Sequence, residues 1–238
     1  MSVAEPPALD RVYAVIVAGG RGLRFGGDTP KQYRLMAGVP MVVRTLRAFD
    51  GCGVDGIVLV VPESDIDWVA ARLLPDAALS KPVRLVAGGA SRQASVANGL
   101  AAIPEEDSFA AIHDAARPLV SAACITACIE GARRYGACIA AVPAADTLKR
   151  VDPEGRITGT LAREGIWLAQ TPQAFRTRLI RQAHDEARRS GRSGTDDAEL
   201  VEWAGGIVHV VCGSHANLKI TTADDLQTAE MLLRSHPL

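Results

Sequence analysis

Between residues 18 and 31 the chain reads A-G-G-R-G-L-R-F-G-G-D-T-P-K, a run of glycines set among fixed positive charges. Gly19, Gly20 and Gly22 free the backbone to bring N–H groups close to a ligand, while Arg21, Arg24 and Lys31 add cations. Such a loop suits a polyphosphate. Two well-known phosphate loops do not fit it. A dinucleotide fingerprint needs a third glycine opening a helix, where this chain has Phe25 and then Gly26, Gly27 and Pro30. A P-loop needs Gly-Lys-Ser/Thr, where Gly27 is followed by Asp28 and Thr29. What remains is a long irregular loop, readable as an anion cradle or as a solvated glycine turn with idle cations.

Three later runs could join it. Gly88-Gly89-Ala90-Ser91-Arg92-Gln93-Ala94-Ser95 is a second glycine turn, and His113-Asp114-Ala115-Ala116-Arg117-Pro118 and Asn217-Leu218-Lys219-Ile220 carry charge beside apolar runs. An aspartate suits hydroxyls and an arginine fork suits phosphate or hydroxyl oxygens. No Ser-His-Asp or Cys-His set stands out, and His113 reads as a hydrogen-bonded structural residue. The cysteines at 52, 124, 128, 138 and 212 lack metal spacing, so buried reduced thiols in a cytoplasmic protein are expected, with no protein metal site.

These runs need a frame to hold them. Short apolar, β-branched runs predict strands over 12–17, 57–61, 83–86, 109–113, 138–142 and 207–211. Helical spacing predicts helices over 41–49, 64–74, from the second glycine turn to about 103, and over 121–135, 177–189, 196–203 and 224–233. The alternation predicts an α/β fold, a Rossmann-like three-layer sandwich on a mostly parallel sheet, with ligands at the carboxyl ends of the strands. The loops at 18–31, 87–95 and 113–118 then share one edge. Residues 146–165 break the pattern: two alternating segments flank Asp152-Pro153-Glu154-Gly155, which predicts a protruding β-hairpin arm. An arm cannot bury both faces alone, so it is expected to embrace a second copy in a homodimer.

Composition narrows the class. At 238 residues with no linker, residues 1–238 are expected to form one domain, and 48% hydrophobic with 22% charged residues fits a soluble globular protein. A net charge of -1 with scattered cations argues against nucleic acid as a partner, and no apolar stretch reaches membrane-span length. The N-terminus is acidic and proline-broken, a frayed tail rather than a signal peptide.

The run from Ala18 through Pro30-Lys31-Gln32-Tyr33 resembles the signature loop of nucleotidyltransferases that activate sugar and polyol phosphates, and among them the 2-C-methyl-D-erythritol 4-phosphate cytidylyltransferase family. The resemblance extends in order from residue 12 to about 233. It implies transfer of CMP from CTP to that acceptor in non-mevalonate isoprenoid biosynthesis, with Mg²⁺ on the CTP phosphates. It also implies that Arg24 and Lys31 stabilise the transition state and that Lys219 and Arg163 position the acceptor. By the same resemblance Ala18, Gly19, Gly20, Gly88, Gly89 and Ser95 form the cytidine pocket, and Asp114, Arg117 and Thr171 meet the ribose and acceptor. Thr147 and Arg163 would reach from the arm into a neighbouring subunit's site. Leu23 and Ala90 depart from the family pattern, where a basic and an acidic residue are common. Some members continue into a fused cyclodiphosphate synthase; none is expected here. A cytidylyltransferase for another polyol phosphate such as ribitol 5-phosphate, a GTP user in molybdopterin maturation, and a non-catalytic nucleotide-binding or scaffold protein are the alternatives.

Overall fold

The computed structural model of the chain describes residues 11–19 and 30–235. The expected frayed tail and most of the first glycine loop lie outside them. Strand β1 (Val12–Val17) leads past Lys31 into a small antiparallel pair, β2 (Leu35–Met36) and β3 (Val39–Pro40). Pro40 precedes helix α1 (Met41–Asp50), whose Met41, Val42, Thr45, Leu46 and Phe49 recur on one buried face. Strand β4 (Gly56–Val61) follows.

The expected helix over 64–74 is irregular. It consists of a 3₁₀ turn at Glu63–Asp65, α2 (Ile66–Trp68), a widened π turn at Val69–Leu73 and α3 (Leu74–Ala77). Pro75 explains this, because it has no N–H to give to the preceding turn and its ring crowds that turn's carbonyl. Ser64 donates to Asp65 Oδ1 at 2.9 Å instead of capping.

Beyond it come β5 (Val83–Ala87), α4 (Arg92–Ala101), β6 (Phe109–Asp114), α5 (Ala122–Tyr135) and β7 (Ala137–Pro143). Ser91 and Ser121 cap α4 and α5, accepting from the N–H groups of Ala94 and Cys124. The arm is an antiparallel hairpin of β8 (Leu148–Val151) and β9 (Ile157–Leu161). The chain then enters β10 (Trp167–Arg176), α6 (Thr177–Ser190), α7 (Asp197–Trp203, capped by Asp196), β11 (His209–Cys212) and α8 (Ala223–Ser235).

Seven strands make one sheet in the order β11-β7-β10-β6-β1-β4-β5. All neighbours are parallel except β10, which runs antiparallel between β6 and β7. Sequence reading carries the chain back through 167–172 without assigning this strand. Pro172 normally argues against a central strand, and here the ladder tolerates it through a register shift between Ala169 and Gln173. Side chains alternate across the sheet. Val12, Ala14 and Ile16 pack with α1 and α5, while Tyr13 and Val15 pack with α4, α6 and α7, giving three layers. Among the described residues no helix is long and apolar enough to cross a membrane.

Candidate functional site

From β1 the chain crosses to β4 and β5 on one side, then returns to β6 on the other, so the strand order reverses between β1 and β6. A crevice must open at the carboxyl ends of two strands whose connections diverge. A cavity of about 530 Å³ lies there. Val17, Ala18 and Gly19 line it from the end of β1, and Asp114, Ala115 and Ala116 from the end of β6. The turn after β5 contributes Gly89, Ala90, Ser91, Arg92 and Ser95, and Lys31, Gln32 and Lys219 complete the wall. The described ends of the first loop thus meet the other two loops at one rim, as their strand ends predict.

Close packing holds one end of the cavity. Ser95 Oγ donates to the Ser91 carbonyl at 2.9 Å and accepts from Gly89 N–H at 3.0 Å, closing the second glycine turn. A Cβ on Gly19 would lie 3.3 Å from that oxygen and one on Gly88 3.2 Å. On Gly89 it would lie 2.5 Å from Ala94 Cβ, a distance no structure accommodates without moving the turn. These glycines are needed for close approach rather than for unusual backbone angles.

Charge gathers at the other end. Lys219 Nζ lies 2.7 Å from Asp114 Oδ2, and Arg92 Nε lies 3.0 Å from Asp114 Oδ1. Burial alone would push the Asp114 carboxyl up; Arg92 and then Lys219 outweigh it and hold the group well below the usual carboxylate range. Asp114 is therefore an anion with both oxygens engaged. Lys31 Nζ donates to the Ile220 carbonyl at 3.4 Å, which brings it beside the segment carrying Lys219. That segment is tied down by buried Asn217, whose Nδ2 donates to the Thr171 carbonyl at 2.8 Å and to Gln170 Oε1 at 3.2 Å.

Thr171 lies beneath Asp114 rather than on the cavity wall, and it is 4% exposed. Its hydroxyl accepts from Asp114 N–H at 3.2 Å and meets His113 Nδ1 at 3.0 Å. His113 Nε2 faces the Arg117 carbonyl at 3.1 Å, and a carbonyl only accepts, so Nε2 carries the ring proton. Nδ1 is then bare and takes the Thr171 proton. Burial lowers the His113 pKa to about 4, which keeps the imidazole neutral and this arrangement intact near neutral pH. His113 is thus the structural residue expected. Arg117 Nη1 donates to the Asn217 carbonyl at 2.7 Å, away from the cavity wall.

Of the residues singled out in the sequence, Ala18, Gly19, Lys31, Gly89, Ser95, Asp114 and Lys219 line one hollow, and Gly88 packs against Gly19 and Ser95 behind it. Arg117 and Thr171 stand behind that wall. Thr147 and Arg163 are exposed at the base of the arm and do not reach it; Arg163 donates to the Ala145 carbonyl. Gly20 and Arg24 lie outside the described residues. Sequence reasoning missed Arg92 and Asn217 as site residues, although each sits inside a run it had marked. Among the described residues no group of three His, Cys, Asp or Glu side chains could hold a metal ion.

Residues 12–235 match the family model described as 2-C-methyl-D-erythritol 4-phosphate cytidylyltransferase. The curated protein of that name from Syntrophus aciditrophicus (strain SB) is 47% identical over 225 residues, covering 94% of this chain and 96% of its own length. The crystal structure of 4-diphosphocytidyl-2C-methyl-D-erythritol synthase from Anaerococcus prevotii DSM 20548 superposes with a TM-score of 0.83 at 30% identity, covering 95% of this chain and 97% of that one. The 2-C-methyl-D-erythritol 4-phosphate cytidylyltransferase of Thermus thermophilus superposes with a TM-score of 0.77 at 33% identity, over 94% and 99% of the two chains.

Proposed function

The chain belongs to the 2-C-methyl-D-erythritol 4-phosphate cytidylyltransferase family, and from that premise we propose how its residues divide the work. The reaction is transfer of CMP from CTP to 2-C-methyl-D-erythritol 4-phosphate, with release of pyrophosphate, in isoprenoid biosynthesis. Residues 1–238 act as one nucleotidyltransferase domain.

The acceptor's phosphate oxygen attacks the α-phosphorus of CTP; a P–O bond forms there as the bond to pyrophosphate breaks. A phosphate monoester is largely dianionic near neutral pH, its second pKa being about 6, so no side chain need remove a proton. The obstacle is repulsion between anions. Lys31 and Arg24 offset it at the α-phosphate and the leaving pyrophosphate, and Lys219 holds the acceptor phosphate in line. The observation that carries this reading is that Lys31 and Lys219 line one hollow whose carboxylate, Asp114, is already engaged by two cations and so offers no base.

Ala18, Gly19, Gly20, Gly88, Gly89 and Ser95 form the cytidine end, where tight packing excludes a purine. Asp114 faces the ribose and Arg117 steadies the Lys219 segment. Thr171, its hydroxyl hydrogen spent on His113, serves the acceptor by fixing Asp114. Mg²⁺ fits this donor set only as a passenger of the triphosphate, because both Asp114 oxygens face cations. There it would lower the charge that the approaching phosphate meets.

The arm carries Val151, Ile157 and Leu161 exposed, with Ile166, Trp167 and Leu168 exposed at its base. Such a surface on a two-stranded hairpin supports a homodimer in which Thr147 and Arg163 enter the partner's site. The free thiols support a reducing, cytoplasmic setting.

Pyrophosphate release from CTP is measured with methylerythritol phosphate, with ribitol 5-phosphate, and with GTP in place of CTP. Rapid release with the first pair alone is expected. Equal turnover with ribitol 5-phosphate would move the acceptor assignment, and CTP binding without release would make the protein a sensor.

A further inference from the structure

The first residue of α7, Asp197, is 1% exposed and does not line the cavity, yet it is linked to the cavity by charge. Its Oδ2 lies 2.9 Å from Arg92 Nη1, its Oδ1 accepts from His184 Nε2 at 3.1 Å, and its backbone N–H donates to Gln173 Oε1 at 3.1 Å. Arg92 therefore spans two carboxylates with one guanidinium, Nε on Asp114 and Nη1 on Asp197. A planar fork can do this; a single ammonium cannot. Burial opposes charge on Arg92, and Asp197 and then Asp114 outweigh it, so the cation is held firmly.

We infer that Asp197 and Arg92 are positioning residues for Lys219, acting in sequence through Asp114. The inference rests on the reading that Lys219 faces the acceptor phosphate. Left to itself, a buried Asp114 would bind Lys219 as a closed ion pair and spend the field that the phosphate needs. Arg92 takes one Asp114 oxygen and divides that charge, which leaves Lys219 available to a second anion. Asp197 supplies the other constraint. Arg92 lines the cavity with its side chain 29% exposed, so without an anchor it would swing to the triphosphate and release Asp114. Four alternating charges, Lys219, Asp114, Arg92 and Asp197, then sum to zero while one cation remains usable.

The test is a double-mutant cycle on the full-length enzyme, with kcat and KM measured for both substrates and melting temperature measured for each variant. Arg92→Gln is expected to lower kcat roughly 10- to 100-fold and to raise the acceptor KM. Asp197→Asn is expected to lower kcat about 10-fold, with the CTP KM unchanged or lower because Arg92 is released to the triphosphate. The double variant should match Arg92→Gln within about twofold, since Asp197 has nothing to act through once the arginine is gone. Losses that multiply, or Asp197→Asn with wild-type kcat, would overturn the relay. Should Asp197→Asn fold poorly, Arg92→Lys decides: activity between wild type and Arg92→Gln supports the two-carboxylate bridge, and wild-type activity refutes it. Lys219→Ala in parallel separates the premises, because an active Lys219→Ala enzyme would sink the site reading itself.

Discussion

The rim of the sheet and the hairpin arm both carry side chains suited to phosphate, but they are built in opposite ways. At the rim, Asp114 ends a strand buried on both faces, its oxygens are filled, and the residues under it are pinned by His113, Thr171 and Asn217. On the arm, Thr147 and Arg163 flank a two-stranded hairpin whose apolar side chains face outward. The fold ties down the described residues of the first region by itself; the second leaves Arg163 and its apolar side chains exposed. Preorganisation at the rim therefore comes from tertiary packing, and at the arm, in the proposed homodimer, it would come from association.

Variants can break this contrast. Lys219→Ala or Lys31→Ala should lower kcat on the order of 10²-fold or more, and Lys219→Ala should also lower the melting temperature because buried Asp114 loses one of its two cations; a loss of kcat under tenfold in both would mean that charge does not develop at this rim. Arg163→Ala should cost about as much as one lost phosphate contact, roughly 10- to 100-fold. Mixing it with Lys219→Ala and exchanging subunits should restore about a quarter of wild-type activity, because half the dimers are hybrid and each hybrid has one intact site. No recovery on mixing would return the arm to a purely structural role.

Glycines sharpen the comparison. Gly89→Ala must displace the second turn and should raise the CTP KM about tenfold, at a cost of about 1 kcal/mol or more read by nucleotide titration. Gly155, at the arm's tip with φ +82° and nothing within 4 Å of a built Cβ, should instead lose about 1 kcal/mol of local stability on change to Ala, with KM unaffected. A further effect is pH-dependent. His113 has its pKa lowered from 6.5 to about 4 in the fold, so the unfolded chain takes up the proton first. Stability should be full above about pH 6.5 and fall toward pH 4, by a few kcal/mol at most, and chemical denaturation across that range measures it. A His113 imidazole titrating near 6.5 by NMR in the native enzyme would contradict the buried neutral ring.

Much of the frame was legible because its strands are short apolar runs bounded by glycine, and the rim followed because loops leaving parallel strands must share an edge. Asp114 stood out as a charge at such a strand end, while Lys31, at the far end of the glycine loop, and Lys219 took their roles from the family resemblance. What stayed hidden depends on distance along the chain. Arg92 and Asp197 are 105 positions apart and meet only when α4 and α7 pack on the same face of the sheet. No local pattern announces such a pair, and Asp197 reads equally well as an acid in the first turn of a helix. Strand β10 was obscured by Pro172, and the π turn by an otherwise helical spacing around Pro75.

β10 is also the backbone that brings the chain back from the arm into the sheet. Trp167, Leu168 and Ala169 pair with Pro143, Val142 and Ala141 before the chain reaches Thr171 under Asp114. A residue inserted in that short span would slide the ladder and lift the hydroxyl out from beneath the carboxylate. The turn at 152–155, fully outside the sheet, carries no such constraint. Relatives free to differ in arm length should therefore gain or lose residues at its far end and keep its root the same length.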